Sequence, residues 1–353
     1  MTKKKNKKNV IRNINKSLFR RKVKRNRAFR IAKRDQYDST YTITKKESFI
    51  PKNEIILKAD RNFELLKNPQ TVIDYIANLK SFAKDNQNVD SIFIDLSDVL
   101  NIDIGSICIL LSSIVELNIY GINLRGNTPV DVKANKVFIE SGYLKHMSNL
   151  SSKLQQKIKT FTGDNLILMS GSEKSESRKI GECIKNAVQI LSGVASHYPP
   201  IYGMILEMNC NSVEHAYHKN KHWLLGVNID KENKKIIFTY ADNGFGVLGT
   251  LRRKFAAVLE DTFKLKENSE ILEGLFDRKY NSRFKKQYNR NKGLPVIKRA
   301  FVNGKVKDLL VITNDVSLHF GKDESLKLNN AFSGTFYYWE LDLETIENER
   351  NRV

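Results

Sequence analysis

Hydrophobic and polar positions follow two periods between residues 50 and 150, and they predict strands separated by helices. Short apolar runs predict strands at Glu54–Lys58 and Ser91–Leu96, and a third strand is predicted over 118–125. Apolar residues at helical spacing predict three helices, which we place at 68–82, 104–116 and 132–140. Strands spaced by helices of this length favour an open α/β sheet.

The pattern changes after residue 150. Residues 150–178 are polar and predict a junction between two domains. A helix is predicted at about 180–192, and Pro199-Pro200 begins a second helix that runs to about Tyr217. An antiparallel hairpin follows, with strands at 223–230 and 234–241. The predicted organisation is a tail, an α/β domain, a linker, a second α/β domain and a short C-terminal tail, at 1–45, 46–150, 151–178, 179–346 and 347–353.

Charge is concentrated at the N-terminus. Of the net charge of +21, residues 1–34 contribute sixteen Lys or Arg and no acidic residue, which leaves +5 for the rest of the chain. Such a segment suits an arm that binds DNA or RNA phosphates. A solvated tail, a contact with an anionic membrane surface and a targeting peptide remain open as alternatives. We therefore expect a charged partner to bind this tail and not the folded body.

Composition excludes several classes of protein. The three cysteines, Cys108, Cys183 and Cys210, are scattered without metal-type pairing, and the six histidines show no ligand spacing. These counts argue against zinc and against a disulfide framework. No apolar run reaches the roughly 18 residues that a membrane span needs, and no secretory signal begins the chain. We therefore expect a cytoplasmic protein.

Two stretches of the first α/β region resemble a known family. IDLSDVLNIDIGSICILL and, further on, GNTPVDVKANKVFIESGYL resemble the STAS domain of anti-sigma-factor antagonists over residues 50–148. In those antagonists a loop reads Asp-Ser-Ser-Gly-Leu, and its second serine accepts a phosphate. Here Gly105 stands at the acceptor position, and Ser106 lies one step into the following helix. The resemblance therefore implies docking of a protein partner rather than a phosphorylation switch.

The second helix after the junction carries candidate chemistry. Glu207, Asn211 and His215 lie four residues apart and so share one face of a helix. A carboxylate and a carboxamide in that register can meet a hydrated magnesium ion and a phosphate tail together. The alternative is a solvated polar stripe on an amphipathic helix.

The predicted hairpin ends in Asp242-Asn243-Gly244-Phe245-Gly246. An aspartate at a strand end can accept a hydrogen bond from the exocyclic amine of adenine. Gly244 and Gly246 would let the backbone turn tightly against the base. Taken alone, this pattern fits a simple tight turn equally well.

The order of these segments resembles the GHKL superfamily, which includes gyrase-type ATPases, heat-shock chaperones and histidine kinases. Glu-x-x-x-Asn-x-x-x-His, a hairpin and Asp-x-Gly-x-Gly come first, then two further boxes, Arg-Asn-Lys-Gly-Leu at 290–294 and Ser-Gly-Thr-Phe at 333–336. The resemblance spans about 178–345 and is closest to the anti-sigma serine kinases. It implies a Bergerat-type α/β sandwich that binds ATP and Mg²⁺.

The resemblance also implies roles for single residues. Asn211 would bind magnesium, Asp242 the adenine amine, and Glu207 would be the general base. The other implied contacts are made by Gly244, Gly246 and Gly293 to the nucleotide, by His215 and Lys292 near the phosphates, and by Thr335 behind the adenine. The chain departs from the family at Pro295, which replaces a second glycine, and in a long basic segment over 248–292.

Three functions fit these expectations. The first is an ATP-driven conformational switch that hydrolyses ATP slowly, in bacterial signalling or defence. The second is a serine/threonine protein kinase of the anti-sigma type. The third is a nucleotide-gated nucleic-acid scaffold without catalysis, and a homodimer stays open in each case. A histidine kinase is disfavoured because His146 and His197, the upstream histidines, lack the sequence neighbours of a phosphoacceptor.

Overall fold

A computed structural model describes eight stretches of the chain, at 54–85, 91–119, 123–146, 166–171, 177–215, 222–253, 266–279 and 293–351. All of them belong to the unit formed by residues 51–353. The basic tail at 1–34, Lys292 and most of the basic segment at 248–292 lie outside the described residues. Among the helices of the described stretches, none is long and apolar enough to cross a membrane.

The first part of the fold is a small parallel sheet with helices, as the sequence predicts. Its sheet has the strand order β1-β3-β5, and two short strands, β2 and β4, pair with each other. The strands are β1 (Glu54–Lys58), β2 (Asn62–Phe63), β3 (Ser91–Asp95), β4 (Asn101–Ile102) and β5 (Asn123–Gly126). The helices are α1 (Pro69–Asp85), α2 (Ile104–Ile119) and α3 (Val132–Glu140), followed by a 3₁₀ turn at Tyr143–His146.

Local signals explain where these elements begin and end. The Asp131 side chain accepts hydrogen bonds from the backbone N–H groups of Lys133 and Ala134, so it caps α3 at the predicted position. The predicted strand over 118–125 is shorter, Asn123–Gly126, because α2 continues to Ile119. We call this part of the molecule, residues 54–146, the N-terminal layer.

The second part contains a five-stranded antiparallel sheet with the order β6-β7-β8-β10-β9. Its strands are β6 (Leu166–Gly171), β7 (Trp223–Asp230), β8 (Lys235–Asp242), β9 (Lys307–His319) and β10 (Glu324–Asp342). The predicted hairpin is β7–β8, with Trp223 opposite Asp242. Strand β6 lies within the predicted linker and pairs with β7 along its whole length. The linker prediction at 151–178 therefore omitted an edge strand of the sheet.

Helices cover one face of this sheet. They are α4 (Ser177–Ser192), α5 (Pro199–His215), α6 (Asn268–Phe276), α7 (Gly293–Val302) and α8 (Leu343–Arg350), with a further helical segment at 246–253. Helix α4 buries one apolar stripe that includes Ile180, Ile184 and Val188. That stripe joins Trp223, Phe238 and Trp339 of the sheet in one hydrophobic cluster. Helix α6 lies within the long basic segment at 248–292.

The other face of the same sheet packs against the N-terminal layer. Helix α1 lies on β10, and α2 lies on β7 and β8. Ile76 of α1 and Leu111 of α2 share a hydrophobic cluster with Ala241 and Phe336 of the sheet. Strand β8 is accordingly buried at consecutive positions at its end, as expected for a sheet covered on both faces. The described residues thus form a three-layer α/β arrangement, in agreement with the predicted α/β class.

Candidate functional site

The beginning of α7 meets the middle of α5. A Cβ atom built on Gly293 would lie 2.8 Å from Glu207 Oε2 and 3.2 Å from Asn211 Nδ2. Gly293 is the first residue of α7, so its lack of a side chain lets the helix N-terminus approach both polar groups. Three of the predicted site residues, from two separate segments, are therefore in close proximity.

This corner has unused hydrogen-bonding capacity. Asn211 Nδ2 is buried and has no hydrogen-bond partner among the described residues. The first N–H groups of α7 lack acceptors within their own helix and carry a partial positive charge. Pro295 removes one of these donors but fits the first turn, where its N–H would have no intrahelical acceptor. An anion with several acceptor oxygens matches this set of groups.

Asp242 lies at the end of β8 and is buried. Its Oδ1 accepts hydrogen bonds from Gly244 N at 2.8 Å and from Thr335 N at 3.2 Å. Its Oδ2 accepts one from the Ser212 hydroxyl at 3.0 Å. Burial raises the pKa of Asp242, although these hydrogen bonds oppose the shift. The Asp242 carboxyl group is therefore held by three segments: the turn after β8, helix α5 and strand β10.

Ser212 connects the two corners of the site. It follows Asn211 on α5 and points to the sheet, where its hydroxyl also lies 2.9 Å from the Tyr240 hydroxyl. Tyr240 in turn donates to Asn209 Oδ1 at 2.8 Å. The sequence analysis did not single out Ser212 or Tyr240. The available signal was their position: each lies within two residues of a predicted site residue, on the side that faces the core.

Gly246 has a structural reason to be glycine. Its φ is +73°, and an added Cβ would lie 2.7 Å from Thr313 Oγ1 of β9. Thr313 and Asn314 accept hydrogen bonds from Val247 N and Leu248 N, at 2.9 and 3.0 Å. The turn after β8 is therefore anchored to β9, and a helical segment begins at this point.

Gly334 packs directly against the backbone of Asp242. Its φ is +124°, and an added Cβ would overlap the Asp242 carbonyl oxygen. The Gly334 carbonyl accepts a hydrogen bond from Thr313 Oγ1 at 3.2 Å. Pairing of β8 with β10, which sets Phe336 opposite Ala241, brings the predicted last box beside the first glycine box.

Some predicted site residues cannot be assigned contacts. His215 is the last residue of α5, and its side chain is outside the described part of the chain, as is Lys292. In the N-terminal layer, Ser106 is fully buried, and its hydroxyl donates to the Asp103 carbonyl at 2.8 Å. A Cβ on Gly105 would lie 3.2 Å from Leu65 Cδ2. This loop therefore offers no exposed hydroxyl at 105 or 106.

In the described part of the chain, the side chains do not form a complete metal site by themselves. Within the described ranges, no group of three or more His, Cys, Asp or Glu side chains could bind one. Glu207 and Asn211 fit an ion that takes most of its oxygen ligands from a phosphate chain and water, as magnesium does. No protein-family model matches the sequence. Among curated proteins, none shows significant similarity to it.

Proposed function

We propose that the chain binds Mg·ATP through a GHKL-type site in its C-terminal half and works as an ATP-driven conformational switch. One observation supports the proposal: four segments that are separate in sequence, on α5, β8, α7 and β10, contact one another. Gly293 lies against Glu207 and Asn211, while Gly334 and Thr335 lie against Asp242. This is the set of boxes on which the sequence resemblance rests.

The phosphate end of the site is formed by α5 and α7. The amide nitrogen of Asn211, which has no partner within the described stretches, and the N-terminus of α7 are donors. Phosphate oxygens are acceptors. The Asn211 amide oxygen is the protein ligand that the resemblance gives to magnesium. Bound magnesium would bridge phosphate oxygens and neutralise part of their charge. The donors and ligands needed for a triphosphate are thus present in one place.

The adenine end is formed around Asp242. A carboxylate offers about four acceptor positions, and three hydrogen bonds from the protein are present here. One acceptor position remains for an exocyclic amine. A ligand N–H in that position would favour the charged form of a carboxyl group whose pKa is raised by burial. Guanine carries a carbonyl where adenine carries this amine, so we expect a preference for ATP over GTP.

Glu207 is the proposed general base. Its carboxylate lies beside Gly293, where the terminal phosphate would end, and it would take a proton from water or from a protein hydroxyl. With water the activity is ATP hydrolysis; with a serine or threonine hydroxyl it is protein phosphorylation. In the third alternative, a nucleotide-gated scaffold, Glu207 would have no chemical role.

The N-terminal layer is proposed to dock a protein partner, as its resemblance to STAS domains implies. The burial of Ser106 supports docking over phosphate acceptance at this loop. The basic tail is proposed to bind DNA or RNA, because residues 1–34 contain sixteen Lys or Arg and no acidic residue.

Calorimetry with a non-hydrolysable ATP analogue tests the central proposal. The full chain should be used, because a 178–353 fragment would lack β6 and expose apolar side chains such as Phe336 that pack on the N-terminal layer. We expect binding that requires magnesium and exceeds GTP binding. Folded protein that does not bind at millimolar nucleotide would overturn the proposal. Labelled ATP, followed as free phosphate or as phosphoprotein, then separates the switch from the kinase.

A further inference from the structure

A buried ion pair lies between the N-terminal layer and the sheet. Lys80 of α1 and Glu116 of α2 are 2.7 Å apart, and their side chains are only 9% and 11% exposed. The Lys80 ammonium also donates to Ser333 Oγ at 2.9 Å and lies 5.2 Å from the centre of the Phe332 ring. The positively charged Lys80 of the N-terminal layer therefore contacts β10 at the predicted last box.

The contact at Ser333 is two residues from the candidate adenine end. Ser333 precedes Gly334, which packs on the Asp242 carbonyl, and Thr335, whose N–H donates to the Asp242 carboxylate. The positive charge of Lys80 also favours the ionised form of Asp242, opposing the larger effect of burial, which raises its pKa. Lys80 therefore contacts the segment that hydrogen-bonds to Asp242, and its charge acts on the Asp242 carboxyl group.

A second contact joins α2 to the loop on the other side of Asp242. The His222 ring nitrogen Nε2 lies 3.1 Å from the Ser112 carbonyl oxygen of α2, to which it donates. The backbone N–H of His222 donates to Asn243 Oδ1 at 2.9 Å, and Asn243 directly follows Asp242. Helices α1 and α2 thus each contact one of the two segments that flank the carboxylate.

Stability alone does not account well for such an ion pair. Replacing a buried ion pair by apolar residues of similar volume is often neutral or stabilising. A role in fixing one geometry is better attested for buried polar groups of this kind. Here the fixed geometry is that of the segment from Ser333 to Thr335.

We infer that Lys80 is a positioning residue for the adenine end of the nucleotide site, and that it couples nucleotide binding to helices α1 and α2. This inference rests on the proposed function, since it concerns the same site. Coupling is reciprocal: if Lys80 helps to place Asp242 for the base, bound nucleotide holds α1 and α2 more firmly on the sheet.

Three variants of the full chain test this inference. Ser333→Ala removes the hydrogen bond from Lys80 to Ser333 Oγ. It leaves the Lys80–Glu116 pair and the longer contact of 3.5 Å from Lys80 Nζ to the Ser333 carbonyl oxygen in place. Lys80→Met removes the charge and keeps much of the volume. Lys136→Met, on an exposed lysine of α3 whose side chain is 66% exposed, is the control. We expect Ser333→Ala and Lys80→Met each to weaken Mg·ATP binding by about tenfold, within the range typical of coupled sites, and to reduce the preference for ATP over GTP.

Two further measurements separate positioning from plain structural support. In the double variant the two affinity losses should not add, because both remove the same link. Hydrogen exchange of α1 and α2 amides should slow when the wild type binds Mg·ATP, and this slowing should be lost in Ser333→Ala. Should Lys80→Met fail to fold, the affinity, the base preference and the hydrogen exchange of Ser333→Ala decide the inference without the double variant.

The outcomes distinguish the inference from the proposal beneath it. A wild type that binds no ATP overturns the proposed function. A wild type that binds ATP, with variants that melt earlier but keep wild-type affinity and base preference, overturns only the inference. The inference alone is also overturned if Mg·ATP still slows amide hydrogen exchange in α1 and α2 of Ser333→Ala.

Discussion

The two ends of the candidate site differ in how much of their hydrogen-bonding capacity the protein already uses. At the adenine end, Asp242 accepts three hydrogen bonds from the protein, and Ser212 and Tyr240 continue the network. At the phosphate end, Glu207 and Asn211 approach Gly293, and the Asn211 amide nitrogen has no partner among the described residues. The first end is built in advance, while the second has donors that a ligand would satisfy.

The elements that form each end explain this difference. Paired strands fix the adenine end, because β8 and β10 are hydrogen-bonded neighbours in the middle of the sheet. Two helices, α5 and α7, form the phosphate end, where a single glycine makes the close contact. Groups fixed in advance bind without a cost of reorganisation. We therefore expect substitutions that crowd the backbone at the adenine end to lower stability. Substitutions at the phosphate end should act mainly on binding and turnover.

Gly334→Ala should have the largest effect, and it should be on stability. The added Cβ would overlap the Asp242 carbonyl at a φ of +124°, so we expect a loss of about 4 kcal/mol or more in the free energy of unfolding. Denaturant unfolding measures it. Gly193→Ala is the control: its φ is also positive, at +77°, but an added Cβ meets no atom within 4 Å. Equal losses in the two variants would mean that the contact with Asp242 is unimportant.

Glu207→Ala should leave stability and ATP affinity near those of the wild type, while turnover falls about 10²-fold, or about 2.7 kcal/mol in the barrier. Asn211→Ala should damage affinity and turnover together, because it removes the proposed protein ligand of magnesium. Steady-state kinetics and calorimetry on both variants give these opposite signatures. Wild-type turnover by Glu207→Ala would leave the nucleotide-gated scaffold as the better function.

Gly293→Ala should weaken Mg·ATP binding by about tenfold, or about 1.4 kcal/mol, with little change in stability. The added Cβ meets the ends of the Glu207 and Asn211 side chains. These ends can move away, but they then leave the positions in which they would bind Mg·ATP. Gly203→Ala, on helix α5, is the control because its added Cβ meets nothing within 4 Å. Unchanged affinity in Gly293→Ala would place the phosphates elsewhere.

Asp242→Asn should change stability less than Gly334→Ala does, and with the opposite sign. An asparagine can keep the two hydrogen bonds that Oδ1 accepts, and its Nδ2 can donate to the Ser212 oxygen in place of the bond that Oδ2 accepts. It also lacks the buried charge, so we expect a gain of about 1 kcal/mol at pH 7. Because burial raises the folded-state pKa of Asp242, its contribution to stability is present at low pH and lost as the pH rises through that pKa. The gain should therefore shrink as the pH falls, while the preference for ATP over GTP is reduced at all pH values. Thermal melts at pH 5 and pH 7 measure the first effect, and a less stable variant at pH 7 would contradict it.

The sequence predicted what local signals determine. The apolar spacing and the prolines at 199 and 200 gave the beginnings of α3 and α5, and the resemblance assigned Asn211 and Gly293 to one nucleotide site. Strand β6 was missed because it lies alone between polar segments and pairs with β7, far along the chain. The Lys80–Ser333 contact was also out of reach, since a lysine on a polar helix position gives no sign of a buried partner on another layer.

The shared hydrophobic cluster has a consequence for how the chain is synthesised. Helix α1 leaves the ribosome early, but Ser333, its partner on β10, is 253 residues further along the chain. At a synthesis rate of roughly 5–20 residues per second, α1 waits about 10–50 seconds for β10. During that interval the side chains of α1 that pack on β10 stay uncovered, although the parallel sheet of the N-terminal layer is already made. We therefore expect the nascent chain to depend on chaperones that hold exposed apolar segments. Helix α1 is therefore made long before it is fully packed.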